Sequence, residues 1–249
     1  MCTACHPSDP EQPPNPTTVP VRPSGGSLPK LPATSLAGAS AQLMYEKKHR
    51  GRQADMDAKW GRLSGVVKFL SDDPQSIKAW AKGARGERAL ADYLRSTVGD
   101  RTVMLNDLRI PRSRANIDHI VIAASGIWIV DAKSYSGKVE QRDVGGWLKT
   151  DKRLYVNGRD QSRLVVGLVK QINAVYEAIQ DADISVKAAL CFVDSEWGRF
   201  AKPFLQGGAL VTWPERLSQA IAEPGPLTPV EVLRVGQQLA RALPAAVGT

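Results

Sequence analysis

Asp131 and Lys133, two residues apart at the end of the apolar run Ile127 to Lys133, are the pair in this sequence with the clearest capacity for chemistry. If the run is a β-strand, alternate side chains share a face, so the carboxylate and the amine must point the same way. The preceding apolar run, Ile117 to Ala123, carries a second acid, Asp118. On a regular strand Asp118, Ile120 and Ile122 share one face, and Ile117, His119 and Val121 the other. His119 therefore cannot join Asp118 in one site and is expected to be structural.

Only Ala124-Ser125-Gly126 separates the two runs, which reads as a hairpin. A two-residue loop centred between Ala124 and Ser125 sets Asp118 directly across from Asp131, with Cβ atoms about 5 Å apart. A three-residue loop centred on Ser125 would send the two acids to opposite faces unless a bulge intervened. Opposed like charges are destabilising, and a divalent cation removes the objection. Two carboxylates plus waters suit a hard ion such as Mg²⁺, and an acid from another element would complete or orient the shell. The bland alternative is a strand-end ion pair between Asp131 and Lys133, but apolar strands seldom bury two acids without a partner.

The elements that must position these groups follow from periodicity and punctuation. A helix is expected from Ser76 to about Thr97, with an apolar stripe of Trp80, Ala84, Leu90, Ala91 and Leu94. Gly83 and Gly86 interrupt it at about 1 kcal/mol each, which suggests close packing or a bend. Strands are expected over Thr102 to Leu108, Ile117 to Ala123 and Ile127 to Lys133, then a short one at Lys138 to Glu140. A hairpin of Trp147 to Thr150 with Leu154 to Val156 turns across Asp151-Lys152. A helix over Ser162 to Gln180, strands at Val186 to Val193 and Gly208 to Thr212, and a last helix over Val230 to Leu243 complete the order. The class is mixed α/β.

The 249 residues, 43% hydrophobic, suffice for one good core. A formal net charge of +8 and a pI near 9.5 favour a polyanionic partner. No run approaches the roughly 18 apolar residues of a membrane span, and no basic-then-apolar leader is visible, so the expectation is a cytoplasmic protein without a membrane partner. Cys2-Thr-Ala-Cys5-His6 spells the pattern for attaching c-type haem, yet no export signal or apolar pocket accompanies it, and a disordered tail is the simpler reading. Cys191, in an apolar run, reads as a core residue.

Residues 1–40 read as a disordered Pro-rich arm, 41–75 as a basic helical segment, and 76–222 as the main domain; 223–249 form a C-terminal helix and tail. In the basic segment Lys47, Lys48, Arg50, Arg52, Lys59, Arg62 and Lys68 outnumber the acids. They form either the solvated face of a docked helix or a surface for nucleic acid.

"GARGERALADYL", "NDLRI" and "NIDHIVIAASGIWIVDAKSYSGKV" together resemble the nuclease-related domain, NERD, a branch of the PD-(D/E)xK nuclease superfamily. The resemblance covers about Gly83 to Ala222. It implies a restriction-endonuclease-like α/β core of helix, three-stranded β-meander, helix and further strands, here with the disordered arm and flanking helices added. It also implies that Glu87 is the helix acid near the metal, that Asp118 and Asp131 are the strand acids, and that Lys133 positions or deprotonates the attacking water. Gln171 matches a helix glutamine that related nucleases place near the site, with Lys170 beside it. The implied activity is Mg²⁺-dependent (Mn²⁺ as substitute) hydrolysis of phosphodiester bonds in DNA or RNA. Charge alone, outside the resemblance, makes Lys47, Lys48, Arg50 and Arg52 the candidates for contact with the nucleic acid, and Lys170 a further one. A nuclease-like module that binds nucleic acid without useful turnover is the rival reading.

Overall fold

A computed structural model describes residues 75–246 except 114 and 148, and before them positions 37, 39–40, 42–43 and 46–47; at 75–80 it describes the backbone alone. The Pro-rich arm, the Cys2, Cys5 and His6 cluster, the Trp80 side chain and most of the basic segment, including Lys48, Arg50 and Arg52, lie outside the described residues.

Helix α1 (Gln75–Thr97) leads into an antiparallel meander of β1 (Val103–Arg109), β2 (Asn116–Ala123) and β3 (Gly126–Lys133). β3 then pairs in parallel with β7 (Val186–Phe192), and β7 with β10 (Ala209–Thr212), whose other edge holds β9 (Phe204–Gln206) antiparallel. The sheet order is β1-β2-β3-β7-β10-β9. Parallel neighbours need a long crossover. That between β3 and β7 carries helix α2 (Leu164–Ile179) and most of a second sheet, β4 (Lys138–Asp143), β5 (Lys152–Val156) and β6 (Arg159–Asp160), which β8 (Glu196–Trp197) completes in the order β6-β5-β4-β8. Helices α3 (Pro214–Ile221) and α4 (Pro229–Ala242) follow.

The first sheet is covered on both faces, which is why β3 and β7 read as continuous apolar runs without alternation. One core joins Ile120, Ile122, Ile127, Ile129 and Leu190 to Leu168, Val175 and Ile179 of α2 and to Val232, Val235 and Leu239 of α4. The opposite core joins Val121, Trp128, Val130, Ala189 and the free, buried Cys191 to Leu90 and Leu94 of α1 and to Leu217 and Ile221 of α3. Helix α4 opens on a capping box in which the Thr228 hydroxyl accepts from the Glu231 N–H. No helix among the described residues is long and apolar enough to cross a membrane.

The expected helices and strands of the main sheet lie where the periodicity puts them, but the hairpin over Trp147 to Thr150 does not form. β4 extends to Asp143 and pairs with β5, and Trp147 stands in the loop between them. The Asp143 carboxylate draws that loop closed by accepting the N–H groups of Gly145 and Asp151. A Cβ on Gly145 would meet the Lys149 carbonyl oxygen at 1.8 Å, so the glycine pair makes a turn where the apolar residues suggested a strand.

Two glycines separate local from tertiary demands. Gly126 has φ +122°, and a Cβ there would lie 2.7 Å from the Ser185 carbonyl oxygen; around Gly83 there is open space. Gly126→Ala is expected to cost about 2–4 kcal/mol in urea unfolding, whereas Gly83→Ala should stabilise by up to about 1 kcal/mol. Equal effects at the two positions would contradict the packing described here.

Candidate active site

The β2–β3 register decides how the acids meet. Ala123 pairs with Gly126 and His119 with Val130, so the loop is the two-residue one, Ala124-Ser125, and the next step in register sets Asp118 against Asp131. At that step the Ala132 N–H donates to Asp118 Oδ2 at 3.0 Å. The Lys133 ammonium contacts Asp131 Oδ1, as strand alternation requires of residues two apart. Asp131 is buried and Lys133 half-buried. The ion pair of the bland reading thus exists, but at a partly buried place with Asp118 beside it.

Glu87 reaches this end of the sheet because α1 lies as close to the exit of β3 as a helix can. A Cβ on Gly86 would come 2.9 Å from Ser134 Cβ, so only glycine allows the approach. Among the described residues Glu87 forms no ion pair; Arg88 donates to Gln42 Oε1 at 2.8 Å instead, and Arg85 is exposed. Burial pushes the Glu87 carboxyl up to about 7, with Asp107 and Asp131 adding to the effect and Lys133 and Arg88 opposing it. Burial likewise raises Asp118 well above the usual carboxylate range, helped by Asp131 and Glu87. For Lys133 burial works against the charge, but Asp131 and Asp118 outweigh it and hold the ammonium above an ordinary lysine. Carboxylates here are in excess over positive charge.

Asp107 belongs to this group, and the sequence reading passed it over. Its neighbours Asn106 and Leu108 pair with His119 and Ile117, which sets it beside Asp118 and makes a row of Asp107, Asp118 and Asp131 across three strands. It is buried, with φ +49°, a left-handed conformation that Asp tolerates better than most residues. Its carboxylate accepts from the Ser40 N–H at 2.7 Å, the Ser40 hydroxyl at 2.8 Å and the Asn116 amide at 3.2 Å. The signal was available in "NDLRI", where an acid interrupts an apolar strand just as Asp118 does.

His119 is fully buried on the opposite side, its Nδ1 2.9 Å from Asn106 Oδ1, and burial lowers its pKa to about 4. Its structural role follows.

Gln171 lies on the buried side of α2, on the face of the sheet to which Ile127 and Ile129 point, and its Oε1 has no hydrogen-bond partner among the described residues. Lys170 is exposed on the outer side of α2, and Lys47 is exposed at a helical position upstream.

The donor set is all oxygen and suits a hard cation. Among the described residues no three acids, histidines or cysteines converge tightly enough to enclose an ion alone. Asp118 and Asp131 are the two carboxylates that could meet a cation that keeps several waters, with Glu87 near them.

Fold and side chains together define a mixed α/β domain with a carboxylate-rich cluster around Lys133. Residues 82–193 match the family model of the nuclease-related domain, NERD, and that segment holds Glu87, Asp107, Asp118, Asp131, Lys133 and Gln171. No curated protein and no solved structure matches the chain.

The raised carboxyls set a sign for the pH dependence of stability without added metal. A carboxyl whose folded pKa exceeds its unfolded value binds protons more tightly when folded, so its contribution is present below about 4.5 and is lost as pH rises to about 7 for Glu87. Neutral buried His119 acts oppositely, adding stability as pH rises from about 4 to 6.5. The two offset in the whole curve but not in a difference. Relative to wild type, Glu87→Gln in EDTA should gain roughly 2 kcal/mol between pH 5 and pH 8 by urea unfolding; a flat difference would mean that Glu87 ionises as it does in water.

Proposed function

We propose that this protein is a nuclease that hydrolyses phosphodiester bonds in DNA or RNA with Mg²⁺, or Mn²⁺ in its place. The supporting observation is the excess of carboxylates around Lys133, of which Glu87 and Asp118 resist ionisation until positive charge is supplied. Asp118 and Asp131 hold the ion and Glu87 assists. When bound, such an ion neutralises charge growing on the phosphate and makes water a stronger acid. Lys133, fixed on the same strand face as Asp131, directs its ammonium at the attacking water or the phosphate. Gln171 orients groups from the α2 side. Arg85 and Arg88 on α1, with Lys47 and Lys170, draw in the polyanion, and Lys48, Arg50 and Arg52 add positive charge in the sequence beside Lys47. Hydrolysis of this kind needs chiefly positioning and charge stabilisation, which a small set of side chains supplies.

Cleavage of labelled linear and circular DNA, and of RNA, is expected with Mg²⁺ or Mn²⁺ and not with EDTA. Asp131→Asn and Lys133→Ala should each lower the rate at least about 100-fold while leaving the fold intact by circular dichroism. If no form cuts but all bind nucleic acid with steep salt dependence, the domain is a binding module instead.

A further inference from the structure

Trp147 is fully exposed, at 106% of its reference area, the largest apolar side chain left in solvent among the described residues. It does not hang on a loose segment. The loop between β4 and β5 is closed by the Val144 N–H donating to the Asp151 carbonyl at 2.8 Å and by the Asp143 carboxylate accepting from Gly145 and Asp151 at 3.0 and 2.9 Å. The hairpin that carries it holds several cations beside the Asp143 carboxylate. Arg142 lies 4.5 Å from the centre of the Tyr155 ring, and Lys149 and Lys152 are exposed. The nearby acids Glu140 and Asp151 are already engaged by Lys138, Arg142 and Arg153.

A second exposed aromatic stands on the neighbouring loop. β8 pairs with β4, and β9 is tied to the hairpin by Gln141 donating to the Leu205 carbonyl and Gln206 donating to the Lys152 carbonyl. The loop joining β8 to β9 carries Phe200, 88% exposed, with the Arg199 guanidinium 5.7 Å from its ring centre.

This surface is connected to the carboxylate pocket by topology. β3 and β7 leave the first sheet as parallel neighbours at the end bearing Asp131 and Lys133, and meet again as parallel neighbours β4 and β8. From Lys133 to the end of β4 at Asp143 the chain spans at most about 33 Å.

We propose that Trp147 and Phe200 are stacking platforms for unpaired bases of a single-stranded nucleic acid, whose phosphates run along the hairpin cations toward the carboxylate pocket. Every base presents a π-face and every nucleotide a phosphate, so alternating aromatic and cationic side chains match a single strand, whereas a duplex hides its base faces. The destination of the strand rests on the nuclease reading; its binding does not.

The test is anisotropy titration of the full-length protein in EDTA with a labelled 20-base oligothymidylate and a blunt duplex of equal length. Trp147→Ala should weaken single-strand binding about tenfold and Phe200→Ala several-fold. Trp147→Phe should restore most of the loss, duplex affinity should change less than twofold, and the thermal midpoints should be unchanged. Unchanged single-strand affinity in Trp147→Ala overturns the proposal. So does an equal loss on both nucleic acids, or a loss confined to binding of phosphatidylserine vesicles. If cleavage fails with every metal while the oligothymidylate loss persists, the nuclease reading falls and the platform stands.

Discussion

The parallel pairing of β3 with β7, from Ile127 with Val186 to Lys133 with Phe192, is the contact on which the rest of the molecule depends. Two parallel strands cannot be joined by a tight turn, so the chain between them must leave the sheet, cross a face and return. That obligation creates α2 and the second sheet, and it buries both sides of β3. A strand buried on both faces can accept charge only at its ends. Asp131 and Lys133 therefore sit at the one end of β3 that the meander leaves open, since the other end is closed by the Ala124-Ser125 turn against Ser185.

Collecting acids at that end has a cost that the structure makes visible. Glu87 and Asp118 are held away from easy ionisation by burial and by each other, and α1 gives up a side chain at Gly86 to bring Glu87 close. None of the acids improves packing; apolar residues in the row of Asp107, Asp118 and Asp131 would be cheaper for the fold alone. Strongly shifted groups that desolvation and specific neighbours produce together mark places where stability is given up for chemistry.

Much of this was legible in the sequence, and for identifiable reasons. β2 and β3 were legible because their apolar runs are bounded by one short turn, and a single loop length then fixed the partner of Asp118. The pairing of Asp131 with Lys133 needed only strand alternation. Glu87 and Gln171 rest on family resemblance alone, since nothing local in a helix tells which buried-face polar residue reaches a site. Asp107 was missed because its neighbours Asn106 and Leu108 made β1 look like ordinary edge strand, and its left-handed backbone leaves no mark in composition. The hairpin of the second sheet was misplaced by Trp147, whose apolar character signals burial even though the loop presents it to solvent.

Gln171 shows how the two kinds of information combine. A buried amide oxygen with no partner loses about 1–3 kcal/mol relative to a satisfied one, so a helix chosen for packing alone would carry an apolar residue there. Leu168 before it and Val175 after it on the same face do so. The amide interrupts that stripe on the side of the sheet to which Ile127 and Ile129 point and, by strand alternation, Asp131 and Lys133. A buried acceptor that has no partner among the described residues can be satisfied by a small group carrying donors of its own, such as water.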